Sequence, residues 1–141
     1  MTFYDSLLYY LQFVSGTQLG AMAAYGNLDV VKFLTSLPET NVSSRDNDGR
    51  TPLGAAAANG HLEIVKYLAS LPETNIDSQD NKGGTPLILA LSNSHPKVAE
   101  FLVEKGANAS IKDNSGKNAL DLATSKDYAN VVNVLFNGWC S

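Results

Sequence analysis

An all-α repeat solenoid, built from helix-turn-helix pairs joined by polar turns, is the fold class that this sequence predicts. Three observations carry the prediction. Residues 17–50 and 51–84 align without a gap, and 21 of the 34 positions are identical. Each period holds two apolar runs at helical spacing, separated by a Gly-type break. A polar Asp-x-x-Gly turn then leads from one period into the next. A third copy starts at Thr85 and a fourth at Asn118, the last step being 33 residues. The chain therefore divides into an N-terminal segment 1–16, repeats 17–50, 51–84 and 85–117, and a closing repeat 118–141.

The N-terminal segment is rich in apolar and aromatic side chains from Phe3 to Val14. A secretory signal would need a basic start and an uninterrupted apolar stretch. Here no Lys or Arg precedes Lys32, and Asp5 and Gln12 interrupt the run. It is also shorter than the ~20 residues that span a bilayer. A capping helix is expected, with Leu7, Leu8, Leu11 and Val14 along one side. Repeat 1 has Thr17-Gln-Leu19 and lacks the preceding Asp-x-x-Gly turn, so the segment stands where that loop would lie. An array of repeats needs such an end cover.

Repeat 2 shows the unit best. It reads Asp46-Asn-Asp-Gly-Arg-Thr-Pro-Leu53, then Ala55 to Ala58, then Gly60-His61-Leu62-Glu63-Ile64-Val65-Lys66. Thr51 is placed to cap a helix whose first position is Pro52, where a missing N–H does no harm. Leu53, Ala56 and Ala57 then fall on one face, and Gly60 supplies the interhelical turn. In the second helix Leu62, Ile64, Val65 and Leu68 are apolar, whereas Glu63 and Lys66 look outward. In repeat 4, Asn130, Asn133 and Asn137 line the last helix, which suits a face turned to water.

These strings closely resemble the ankyrin repeat family, whose signature is Asp-x-x-Gly-x-Thr-Pro-Leu followed by Gly-His-x-Glu-Ile-Val-Lys. The resemblance covers residues 17 to about 136. It implies antiparallel helix pairs in a curved solenoid, with loops at right angles to the helices. The sequence also departs from the family. The usual His after Thr-Pro-Leu is Gly54, Ile88 or Asp121 here, so the loop-bridging hydrogen bond that it makes is lost. Repeats 1 and 2 end in Leu-Pro-Glu-Thr-Asn, where repeat 3 has Glu104-Lys-Gly-Ala-Asn108. Ser94 replaces the interhelical glycine of repeat 3, and Pro96 opens the following helix.

Composition narrows the function classes. The 141 residues are 44% hydrophobic and 17% charged, with a formal charge of −4. That argues against disorder, and the acidic balance argues against nucleic-acid binding. A single cysteine, Cys140, precludes a thiolate metal cluster or an internal disulfide. His61 and His95 occupy one repeat position and read as structural, so no metal or cofactor is expected. No metalloprotease, Walker-type or nucleophile-elbow motif occurs, and no catalytic residue is assigned. Gly83-Gly84-Thr85 precedes a helix and is a candidate anion site, but it belongs to the repeat turn. Leu-Pro-Glu-Thr resembles a sortase motif, yet it recurs at one repeat position without the following Gly. Asparagine hydroxylation, another family-level possibility, lacks its acceptor because Ser43, Asp77 and Ser110 stand at that position, with Asn41, Asn75 and Asn108 two residues early.

Function is thus expected on the surface. The resemblance implies a noncatalytic module that binds another protein through loop tips and the inner-helix groove. Mapped position by position, the partner-binding candidates are Tyr25, Arg45, Asn47, Asp48, Arg50 and Asn59, then Gln79, Asn81, Lys82, Ser92 and Asn93, then Lys112, Asn114, Ser115, Lys117 and Lys126. Six of these are basic and only Asp48 is acidic, which suggests a positive groove for an acidic segment. Asp29, Glu63, Glu73, Glu100 and Glu104 lie on the second helices and their ends. The protein is expected to be a monomer with no membrane partner, in the cytoplasm of its own or a host cell. The alternatives are an enzyme with an unrecognised site and an engineered scaffold of this family, which the irregular caps and lost His disfavour.

Overall fold

Threonine followed by proline opens the first helix of each central repeat. Thr51 accepts the Gly54 N–H and Thr85 the Ile88 N–H, both at 3.2 Å. Pro52 and Pro86 fill the first helical position, where an N–H would have no partner. The computed structural model describes residues 18–140, with side chains as far as Asn137. Among these residues α1 spans 18–25, α2 Leu28–Ser36, α3 Pro52–Ala58 and α4 Leu62–Ala69. They are followed by α5 Pro86–Ser92, α6 Pro96–Glu104, α7 Ala119–Ser125 and α8 Ala129–Cys140, and no described residue is in a strand. The capping segment predicted at 1–16 and the side chain of Cys140 lie outside the described residues.

The helices form two rows. In the inner row α3 packs on α5 and α5 on α7, and in the outer row α2, α4, α6 and α8 follow one another. Each inner helix also packs on the outer helix that follows it, α3 on α4, α5 on α6 and α7 on α8. Outer helices bury one stripe, such as Ile64, Val65 and Leu68 in α4 and Val98, Ala99 and Leu102 in α6. The inner helix α3 was expected to bury one face, but every residue from Pro52 to Ala58 is buried. It is enclosed by helices on more than one side, and its alanines are too short to reach past them. Ala55 and Ala58 are therefore only 4% and 7% exposed.

Left-handed residues make the turn within each pair. Gly26 and Gly60 have φ of 87° and 75°, and Ser94 and Asp127 take the same conformation at 67° and 58°. Ser94 thus adopts the conformation of the glycine it replaces. Glycine is needed at the first two turns for space as well. A Cβ on Gly26 would come within 2.6 Å of the His61 ring, and one on Gly60 would meet the ring of His95. The His61 Nε2 also lies 2.9 Å from the Ala24 carbonyl, tying repeat 2 to repeat 1.

The Leu-Pro-Glu-Thr strings form turns after α2 and α4, closed by Thr40 N–H to Leu37 O and Thr74 N–H to Leu71 O, both 3.1 Å. Repeat 3 uses Gly106 at φ 90° instead. The asparagine two residues before the hydroxylation position has a local task in all three repeats. Asn41, Asn75 and Asn108 accept the N–H of Ser43, Asp77 and Ser110 at 2.9, 3.0 and 2.9 Å. At the C-terminal end Val131 and Leu135 are buried, while Asn130, Asn133 and Asn137 are exposed.

Leu53 and Leu87 are each 1% exposed at the heart of the inner row. Either Leu→Ala substitution is expected to lower stability by ~2–5 kcal/mol, read as the change in unfolding free energy in urea.

Candidate partner-binding surface

Each tip is organised by one aspartate. Asp46 Oδ1 accepts the Asp48 and Arg50 N–H groups, both at 2.9 Å. Asp80 Oδ1 does the same for Lys82 and Gly84, at 2.9 and 2.8 Å, and Asp113 Oδ1 for Ser115 and Lys117, at 2.9 and 3.0 Å. Gly49, Gly83 and Gly116 close the turns at φ of 77°, 79° and 84°. The Gly84 N–H that an anion at Gly83-Gly84-Thr85 would need is therefore already given to Asp80.

Successive tips are stitched together along two rails. On one rail Asn81 donates its backbone N–H to Asp48 O and its amide to Asn47 O, both at 3.0 Å. Asn114 repeats this on Lys82 O at 2.9 Å and Asn81 O at 3.2 Å. On the other rail Arg45 Nη1 donates to Gln79 O at 2.6 Å, and Gln79 Nε2 to Lys112 O at 3.3 Å. Both residues also brace their own tips, Arg45 on Gly49 O at 3.0 Å and Gln79 on Gly83 O at 2.9 Å. Arg45 Nη2 reaches Ser78 Oγ at 2.8 Å as well. Arg45, Gln79 and Lys112 share one register.

A family model for ankyrin repeats, in three copies, matches residues 19–113 and 70–139. The chain belongs to the ankyrin repeat family. Its members generally mediate protein–protein interactions. A comparison with curated proteins returned no match.

Within this ankyrin array, the substituted His position takes a different task in each repeat. In repeat 2 a Cβ on Gly54 would lie 3.5 Å from Leu89 Cδ1, so the leucine of the next inner helix fills the place of a side chain. In repeat 3 Ile88 is 3% exposed and belongs to the buried face of α5. In repeat 4 Asp121 Oδ2 accepts the Asn118 N–H at 3.1 Å while Asn118 caps Asp121 at 3.0 Å, a reciprocal capping box.

The candidate residues fall into two groups. Asn59 and Asn93 cap the inner helices, donating to Ala55 O at 2.9 Å and Leu89 O at 2.8 Å. Lys126 Nζ is bound 3.1 Å from both Ser92 O and Ser94 Oγ. Arg50 Nε lies 3.7 Å from Asp80 Oδ2, a carboxylate whose side chain is 5% exposed, and the guanidinium is half-buried. Arg45, Gln79, Asn81 and Asn114 hold the rails. Tyr25, at 79% exposure, and Asn47, Asp48, Lys82, Lys112, Ser115 and Lys117 remain turned outward. Arg50 and Lys82 line a crevice of about 200 Å³ between the tips and α5, floored by Ile88 and Leu89.

Variable positions alone set six cations against Asp48, but Asp46, Asp80 and Asp113 sit in the same tips and reduce the excess. These aspartates belong to the fixed Asp-x-x-Gly turn and so are not among the variable positions. Two exposed aromatics, Phe33 at 61% and Phe136 at 50%, were also missed, since helical spacing alone places neither outside the core. Among the described residues, no group of three His, Cys, Asp or Glu is placed to hold a metal ion.

Two outcomes follow from the tips. A Cβ on Gly83 would meet Asn114 Oδ1 at 2.7 Å and its backbone N at 2.8 Å, whereas one on Gly116 meets nothing within 4 Å. Both glycines have positive φ, so either Ala variant is strained by ~1–2 kcal/mol. Gly83→Ala is expected to lose at least ~1 kcal/mol more in urea unfolding, because it also displaces the Asn114 rail. The second outcome concerns Asp113, whose carboxyl is held below its ordinary range first by the Ser115 hydroxyl at 2.6 Å, opposed next by desolvation, with the Lys117 and Ser115 N–H groups and the Lys117 charge adding to the lowering. A lowered folded value means that its contribution is complete above the unfolded value of ~3.9 and fades as pH falls through the folded one. Ser115→Ala should move the Asp113 titration upward, as followed by carboxyl carbon NMR.

Proposed function

We propose that this ankyrin array is a noncatalytic interaction module that binds a protein partner through its tips and the groove beside them, with an acidic segment as the preferred ligand. The observation that carries the reading is the division of labour at the tips. The carboxylates of Asp46, Asp80 and Asp113 and the amides of Asn81 and Asn114 are consumed by backbone hydrogen bonds, which makes the tips a firm platform. Asp48, Lys82 and Lys117 are left to face outward from it, and Tyr25 is exposed at the far end of α1. Exposed charges on a pre-organised backbone serve encounter, and an exposed aromatic serves affinity, in a protein interface. The crevice between α5 and the tips offers the concave element beside them.

Site-specific photo-crosslinking tests the proposal. A benzophenone side chain at Tyr25 or Lys82 should capture partner polypeptide in an extract of the source cells, and one at Glu63 or Glu104 should not. Equal yields from both pairs would reject the tip surface. Captured adducts should decline as salt is raised before crosslinking, because exposed charge attraction is screened over ~8 Å at physiological ionic strength.

A further inference from the structure

The sequence holds two arginines, Arg45 and Arg50, and their surroundings differ. Arg45 donates from both terminal nitrogens, to Gly49 O, Gln79 O and Ser78 Oγ. The Arg50 guanidinium donates no hydrogen bond among the described residues. Its Nε is buried without a partner, and Asp80 Oδ2 stands 3.7 Å away, beyond hydrogen-bond range. Asp80 Oδ1 is already given to the Lys82 and Gly84 N–H groups. The ion pair thus places the guanidinium without using its hydrogens. A buried donor left unpaired is a cost that folded proteins rarely carry without a reason. The repeat unit supplies no reason, because Gly84 and Lys117 stand at the same position in the next two repeats. Arg50 lines the crevice of about 200 Å³ that Ile88 and Leu89 floor. Gly84 keeps that crevice clear, since a Cβ there would stand 3.3 Å from both Asp80 Oδ1 and Leu89 Cδ2. The second carboxylate in the lining, Asp113, is spent on the Ser115 and Lys117 N–H groups and the Ser115 hydroxyl.

We infer that this crevice seats one acidic side chain of a partner protein, with Arg50 as its anchor. The carboxylate lies in the plane of the guanidinium and accepts two parallel N–H groups, the arrangement that a planar fork favours. Its methylene stem rests on Ile88 and Leu89, and the exposed Lys82 adds attraction. Binding gives the Arg50 hydrogens the acceptor that folding does not. In a half-buried crevice such a bond is stronger than on an open surface. Asp80 already holds the guanidinium in place, so little side-chain freedom is left to lose. Arg45 and Lys126 take no such role, because each is held by carbonyls of a neighbouring repeat. The inference rests on the interaction-module reading and names the residue that its acidic ligand engages.

Proton–nitrogen NMR of the full chain reads the anchor directly, because two arginines give two Nε–H signals. The probe is acetyl-triglutamate amide, titrated at low salt. It should move the Arg50 signal and leave the Arg45 signal nearly unchanged, whereas acetyl-triglutamine amide should move neither. Arg50→Lys keeps the charge but loses the fork. It should weaken triglutamate binding about tenfold, followed through the Ile88 and Leu89 amides. Lys66→Gln on α4 removes a charge outright and should change affinity less than about twofold. Equal movement of both arginine signals, equal movement by triglutamine, or unchanged affinity in Arg50→Lys would overturn the inference. The comparison of the two signals uses the unaltered protein and so does not depend on the variant folding. If triglutamate does not bind while Tyr25 and Lys82 still crosslink a partner, the anchor fails and the interaction module stands.

Discussion

Helix α3 reads Pro-Leu-Gly-Ala-Ala-Ala-Ala and its neighbour α5 reads Pro-Leu-Ile-Leu-Ala-Leu-Ser, and the contact between these unequal surfaces spaces everything attached to them. Small residues on one side let the leucines of the other approach the backbone. Leu89 shows how close the fit is, with its methyl groups 3.5 and 3.3 Å from where side chains would begin at Gly54 and Gly84. Interiors tolerate little volume change, so a larger residue at Gly54 would push α5 outward. The outer helices, each burying only a stripe, follow the inner row rather than set it.

The tips inherit this spacing. Arg50 and Gly84 are each one residue from the N-cap of an inner helix, so the distance between tips is the distance between α3 and α5. At that distance an asparagine amide reaches the carbonyl of the preceding tip, and Arg45 or Gln79 reaches the following one. Each repeat therefore speaks only to its neighbours, as one-dimensional arrays do, but through both its core and its hydrogen bonds. Side chains available for function are the ones that this stitching leaves over.

How much of this was legible in the sequence depends on how far apart the partners lie. The string Thr51-Pro52-Leu53 announces its own cap and core position, since all three act within one helical turn. Ser94 was readable as a turn residue because its alignment with Gly60 is local to one repeat. Arg45 and Lys126 were not readable as structural cations. Their partners are the Gln79 and Ser92 carbonyls in an adjacent repeat, and nothing in a basic side chain says whether such an acceptor is near. The same holds for Arg50, whose carboxylate comes from the next tip. Exposed positions such as Tyr25, Lys82 and Lys117 could be placed from the repeat register alone.

The histidine rings resting on the glycine turns bear on how the chain finds its order. Two neighbouring repeats with so many identical residues present almost the same surfaces, and a chain of this kind invites mispairing during folding. Position 27 is asparagine, whereas positions 61 and 95 are histidine. Asn27 caps its own helix through the Val30 N–H at 3.2 Å, while His61 covers Gly26 and meets the Ala24 carbonyl. Exchanging the two repeats would leave that carbonyl without the ring. One residue per repeat thus gives the array a direction, and the two nearly interchangeable units have only one satisfactory sequence of assembly.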